Sequence, residues 1–141
     1  MTAVRKPTRK TTRRAPAAAG TLPQWELGDL YPGPRSPRIE ADLGKARRRA
    51  RGFRKRHEGR LAGLDGAAFG AAIAEFERIG EVLNRIMSYA QLLLAADVSN
   101  ARSAQFHQSM HERVTAVSTE TLFFTLEINR LDDDLLAEKL K

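Results

Sequence analysis

From Ile39 to Leu61 the inward-type residues fall at Ile39, Leu43, Ala46, Ala50, Phe53, His57 and Leu61, in alternating steps of four and three. That spacing collects one side chain per turn on a single face of an α-helix and scatters them over both faces of a strand, so the segment is an amphipathic helix. The rhythm returns at Phe69, Ile73, Phe76, Leu83, Met87, Ala90 and Leu94, with Ile79, Ile86 and Leu93 widening the stripe. It returns again at Phe106, Met110, Val114, Val117, Thr121, Phe124 and Ile128. No strand alternation, hairpin turn or useful internal repeat interrupts it. The expectation is an all-α fold of long antiparallel helices, a helical hairpin or bundle.

The punctuation fits three long helices and the start of a fourth. Ser36-Pro37 supplies an N-cap and a proline at the first helical position, where its missing N–H does no harm. Gly59 and Gly63 mark the end of the first helix, and Asp65 caps a second that runs to about Ala96, roughly 45 Å at 1.5 Å per residue. Asp97-Val98-Ser99-Asn100 turns the chain into a third helix that closes between Asn129 and Asp132. Asp132-Asp133-Asp134 ahead of Leu135-Leu136-Ala137 is a cap with first-turn acids, but the chain given stops at Lys141 after barely two turns. So short a helix is marginal alone, and the chain is expected to continue in the intact protein.

The formal charge of +7 is unevenly placed. Residues 1–20 carry Arg5, Lys6, Arg9, Lys10, Arg13 and Arg14 and no acid, which leaves 18 basic against 17 acidic residues beyond them. With no aromatic residue and no apolar period, residues 1–20 read as a disordered basic tail. Pro7 and Pro16 and the missing amphipathic pattern argue against a transit peptide. Residues 21–36 form a Trp- and Pro-containing lead segment, and residues 37–141 a helical domain. Within that domain residues 38–60 carry ten basic residues and three acids, whereas residues 61–141 carry seven basic and twelve acidic. This polarity predicts contact between the two parts, or with a partner. Cysteine is absent, which removes disulfides and thiolate chemistry. No apolar run reaches the length of about 18 residues that a membrane span needs.

Three segments carry a family resemblance. Trp25-Glu26-Leu27-Gly28-Asp29-Leu30-Tyr31 resembles the W-[D/E]-L-x-D-L-Y/F segment that precedes the first long helix of the oligoendopeptidase F family, thimet-type zinc metallopeptidases that cut short peptides. Ser88-Tyr89-Ala90-Gln91-Leu92-Leu93-Leu94-Ala95-Ala96-Asp97 is similar to that family's Y-A-x-L-x-x-x-x-D run, and Leu122-Phe123-Phe124-Thr125-Leu126-Glu127-Ile128-Asn129 is a third match in order. The resemblance covers residues 24 to about 138. It implies a helical, cytoplasmic enzyme with a deep channel, whose zinc is held downstream by an H-E-x-x-H helix and a further Glu. This chain would be its amino-terminal wall, limiting substrate size, with the catalytic half as partner and no catalytic, metal or cofactor residue of its own.

The residues themselves agree that hydrolysis is not housed here. His107-Gln108-Ser109-Met110-His111 puts two imidazoles on one helix face, one residue from H-E-x-x-H, but Gln108 cannot act as the general base. The frame His111-Glu112-Arg113-Val114-Thr115 has Thr where the second ligand belongs. A catalytic zinc needs a third ligand, and only His57 on the basic helix, or a carboxylate such as Glu120, is left to supply it. Ser88, Ser103, Ser109 and Ser118 have no His and Asp combination beside them, and Glu77 with Glu81 reads as surface charge. Tyr89 is the polar aromatic to watch, without an assigned role. The glycines at 59, 63 and 66 match no phosphate loop.

The basic run Lys45 to Arg56 reads as a solvated helix face, with phosphate binding as its alternative. The second functional reading is accordingly a freestanding helical module that binds an acidic partner or nucleic acid through its tail and basic helix. The two readings differ in whether the natural chain extends past Lys141 into a catalytic half. On the first, part of the set Ile79, Ile86, Leu93, Leu122, Phe123 and Leu126 should lie open to water, awaiting that half.

Overall fold

The computed structural model describes residues 25–141. The basic tail at 1–20 and residues 21–24 of the lead segment lie outside the described residues. Five helices occur in these: α1 (Pro37–His57), α2 (Gly66–Ala96), α3 (Ala101–Thr119), α4 (Leu122–Ile128) and α5 (Asp133–Lys139), with a 3-10 turn at Leu61–Gly63 between the first two. No strand occurs among the described residues.

The caps work as their chemistry dictates. Ser36 accepts from the Arg38 N–H, Asp65 from Ala68, Asn100 from Arg102 and Ser103, and Asp132 from Asp134, each satisfying N–H groups that a helix start leaves without partners. Gly59 takes φ +74° just past α1, the left-handed turn that a residue without Cβ adopts most cheaply.

The three long helices share one core. Arg56 of α1 meets Glu75 of α2, while Tyr31, just before α1, meets Tyr89 further along α2, so the two helices run antiparallel. Phe76 and Tyr89 of α2 face Phe124 and Phe106 respectively, which turns α3 and α4 back antiparallel to α2. The stripe of α1 is buried from Ile39 through Phe53, with Leu61 of the 3-10 turn beneath it. Each large apolar side chain so buried contributes about 1.5–3 kcal/mol relative to exposure.

The third helix differs from its sequence reading by breaking at Glu120–Thr121. Thr119 Oγ1 donates to the Thr115 carbonyl and Thr121 Oγ1 to the Ser118 carbonyl, local bonds that compete with the helical ladder. The break has a packing consequence. Phe123 and Phe124 are both buried against Phe53, at centroid distances of 5.6 and 5.2 Å, although adjacent residues of a straight helix point about 100° apart. Phe123 is core, as are Ile79 and Ile86, and Leu93 is half-buried, so only part of the set named for an open surface lies open. Leu122 and Leu126, at 54% and 47% exposure, do lie open.

α5 folds back onto the link between α1 and α2. The Lys139 ammonium donates to the carbonyls of Ala62 and Leu64, and Gly66 admits the close approach: a Cβ there would sit 3.0 Å from the Lys139 carbonyl oxygen.

Candidate functional site

His107 and His111 sit one turn apart on α3, their ring centroids 6.3 Å from each other. Nothing joins them to a third donor. Gln108 donates to Glu112 Oε1 at 2.7 Å, which engages the neighbouring carboxylate. Glu120 is held by Arg54 at 3.3 Å and Arg51 at 3.6 Å, and His57 packs on Phe53 with Nε2 4.0 Å from Glu75. Among the described residues no group of three His, Asp or Glu side chains is placed to hold a metal ion. The donor set on these residues thus does not fit a catalytic zinc. His57 Nδ1 is buried with no hydrogen-bond partner.

Tyr89 belongs to the core at 2% exposure, edge-on to Tyr31 at 5.4 Å and to Phe106 at 6.0 Å. Burial raises its phenol pKa above the usual value. Tyr31, also buried, is pushed up to about 12 by burial first and then by its hydrogen bond to Asp42. The lead segment and the late part of α2 thus meet through their tyrosines, whereas Trp25 lies exposed.

The charge polarity of the chain becomes contact, as expected, but only in part. The arginines in the second half of α1 are paired, Arg51 and Arg54 with Glu120, Arg54 also with Glu58, and Arg56 with Glu75, whereas Lys55 among them is not. Glu127 of α4 accepts the Gly59 N–H. At the other end Arg113 of α3 grips Glu40 of α1 through both guanidinium nitrogens at 2.6 Å and holds that carboxyl below the ordinary range. This clamp escaped the sequence reading, since no motif links residues 73 positions apart. Between these paired ends the middle of the basic run keeps its charge.

Concavities among the described residues include two that border the helices. A cleft of about 670 Å³ lies between the lead segment and the start of α3, lined by Pro34, Arg35, Leu93, Arg102, Ser103 and Phe106 among others. A smaller groove of about 240 Å³ runs between α2, α3 and α4, with Phe76, Ile79, Leu83 and Val114 at its base and Leu122 on its rim. Ser103 and Ser109 line the first and Ser118 the second, while Ser88 is exposed. No helix among the described residues is long and apolar enough to cross a membrane. In comparison with known proteins the chain matches no family model, no curated protein and no solved structure.

Proposed function

We propose that these helices are the amino-terminal region of an oligoendopeptidase F-like zinc peptidase acting on short peptides in the cytoplasm. The observation that carries the reading is the Tyr31–Tyr89 contact. Two segments that resemble the family separately, one before α1 and one late in α2, supply the two rings of a single buried pair. The third segment contributes Phe123 and Phe124 to the same core. Residues that resemble a family in this pattern would then be its packing frame, and their role is to shape a wall.

The groove that Leu122 lines, with the exposed Leu126 one turn further along α4, offers the surface for the catalytic half. Apolar side chains left half open at a groove rim gain by burial against a partner. Zinc and the general base belong to that other half on this reading, and α1 to α5 limit the size of peptide admitted to the channel. Reading the coding frame past Lys141 tests the proposal. A continuing frame that encodes H-E-x-x-H and a downstream Glu is expected, and a stop codon directly after Lys141 would contradict it.

A further inference from the structure

The outward side of α1 is rich in cations that no ion pair engages among the described residues. Arg38, Lys45, Arg47, Arg48, Arg49 and Lys55 are exposed and form none, although six pairings engage other basic side chains; Arg38 packs over the Tyr31 ring, and Arg47 and Arg49 stand on the two flanks of the face. Arg48 lies opposite the buried stripe of Leu43, Ala46, Ala50 and Phe53, with Lys45 and Lys55 within about a turn or two along the same side. Residues 1–24 hold no acid with which to neutralise them, and add six basic residues of their own.

We infer that this face docks on the phosphate backbone of a nucleic acid, independently of base sequence. The composition of the face decides between phosphates and an acidic protein. Its remaining positions are Ala41, Gly44, Arg51 and Gly52, so it offers no aromatic or large aliphatic anchor. Protein interfaces draw most of their energy from aromatic and arginine anchors seated in dry pockets and are depleted in lysine, whereas a phosphate backbone asks only for cations, lysine included, that displace condensed counterions. Lacking aromatics, the face has nothing to stack on bases, which is why the binding is blind to sequence.

The two glycines suit such a face. A Cβ at Gly44 would stand 3.5 Å from Arg48 Nη1, and one at Gly52 3.2 Å from Arg56 Nη1. The guanidinium groups therefore lie back along the helix, and the face stays low enough for a backbone to approach. Glycine inside a helix costs about 0.5–1 kcal/mol relative to alanine, which the fold tolerates at these two half-buried positions.

The test is fluorescence anisotropy with a labelled 20-base-pair DNA duplex and the full chain, titrated from about 50 to 200 mM salt. Native protein is expected to bind with a steep salt slope, about 0.9 log unit per phosphate contacted. Changing Lys45, Arg48, Arg49 and Lys55 to Gln should lower affinity by about tenfold or more and flatten the slope by about 3 to 4. A control that removes the same charge elsewhere, Arg78, Arg85, Arg102 and Arg130 to Gln, should change affinity far less. Lys45→Arg with Lys55→Arg should preserve it. If circular dichroism shows that the fourfold variant loses helix, Arg48→Gln with Lys55→Gln is read instead, with the slope falling by about 2. Equal losses in the face and control variants would overturn the inference, as would no binding at 50 mM salt. Displacement of the duplex by polyglutamate at equal charge would also overturn it, in favour of an acidic protein partner.

Discussion

The Tyr31 hydroxyl donates a 2.9 Å hydrogen bond to Asp42 Oδ2, tying the segment ahead of α1 to the helix it introduces. Burial and this bond keep the phenol protonated up to about 12, against about 10 in an unfolded chain. The folded state thus holds the proton more tightly, so the stabilisation is whole below pH 10 and is lost as pH rises from 10 towards 12. Tyr31→Phe should cost about 1 kcal/mol at pH 8 and make the alkaline fall in melting temperature shallower than in the native chain. Parallel curves for the two proteins across that window would show that Tyr31 does not titrate as described.

The Glu40–Arg113 clamp should behave in the opposite sense. Arg113 lowers the Glu40 pKa mainly by hydrogen bonding, so its contribution is present above the ordinary carboxylate range and disappears as pH falls through the lowered value. Both side chains are partly solvated, which limits Glu40→Gln to about 0.5–1 kcal/mol at pH 7. Thermal melts at pH 7 and pH 3 check this: the difference from native should be measurable at the first and smaller at the second.

Phe123 and Leu122 are neighbours in sequence with opposite environments. Phe123→Ser removes a ring packed on Phe53 and places a hydroxyl in the core, so it should cost about 3 kcal/mol or more and increase binding of a hydrophobic dye. Leu122→Ser with Leu126→Ser should leave the melting temperature nearly unchanged and reduce dye binding, because both side chains stand open, Leu122 at the groove itself. Dye binding that ignores the leucine pair would place the apolar surface elsewhere.

Gly59→Ala should destabilise by about 1 kcal/mol, since its φ of +74° is costly for any residue with a Cβ. Gly63→Ala should be tolerated, because a methyl group there would meet open space and the backbone has no positive φ. Urea melts of the two variants make the comparison directly.

The caps and stripes were legible because each rests on residues within a turn of one another. Ser36, Asp65, Asn100 and Asp132 all cap where the sequence reading puts them, and α2 runs from Gly66 to Ala96 as its stripe implies. The break at Thr121 was hidden because Val117, Thr121 and Phe124 keep helical spacing on both sides of it, and a Thr hydroxyl that bonds a carbonyl one turn back leaves no mark on that spacing. The Lys139 clasp on Ala62 and Leu64 and the Arg113–Glu40 clamp join residues more than 70 positions apart, which no local pattern signals. At the candidate site the i, i+4 placement of His107 and His111 on one helix was readable from their spacing. Which cations of α1 stay free was not, because Glu75 and Glu120 arrive from other helices.

The most direct measurement for the peptidase reading is the mass and activity of the natural polypeptide captured from its source cells with an antibody against residues 37–141. The account predicts a species well above 15.7 kDa that cleaves a quenched fluorescent peptide and loses this activity to a zinc chelator, while the 141-residue chain alone stays inactive. A natural species of about 15.7 kDa with no peptidase activity would contradict it.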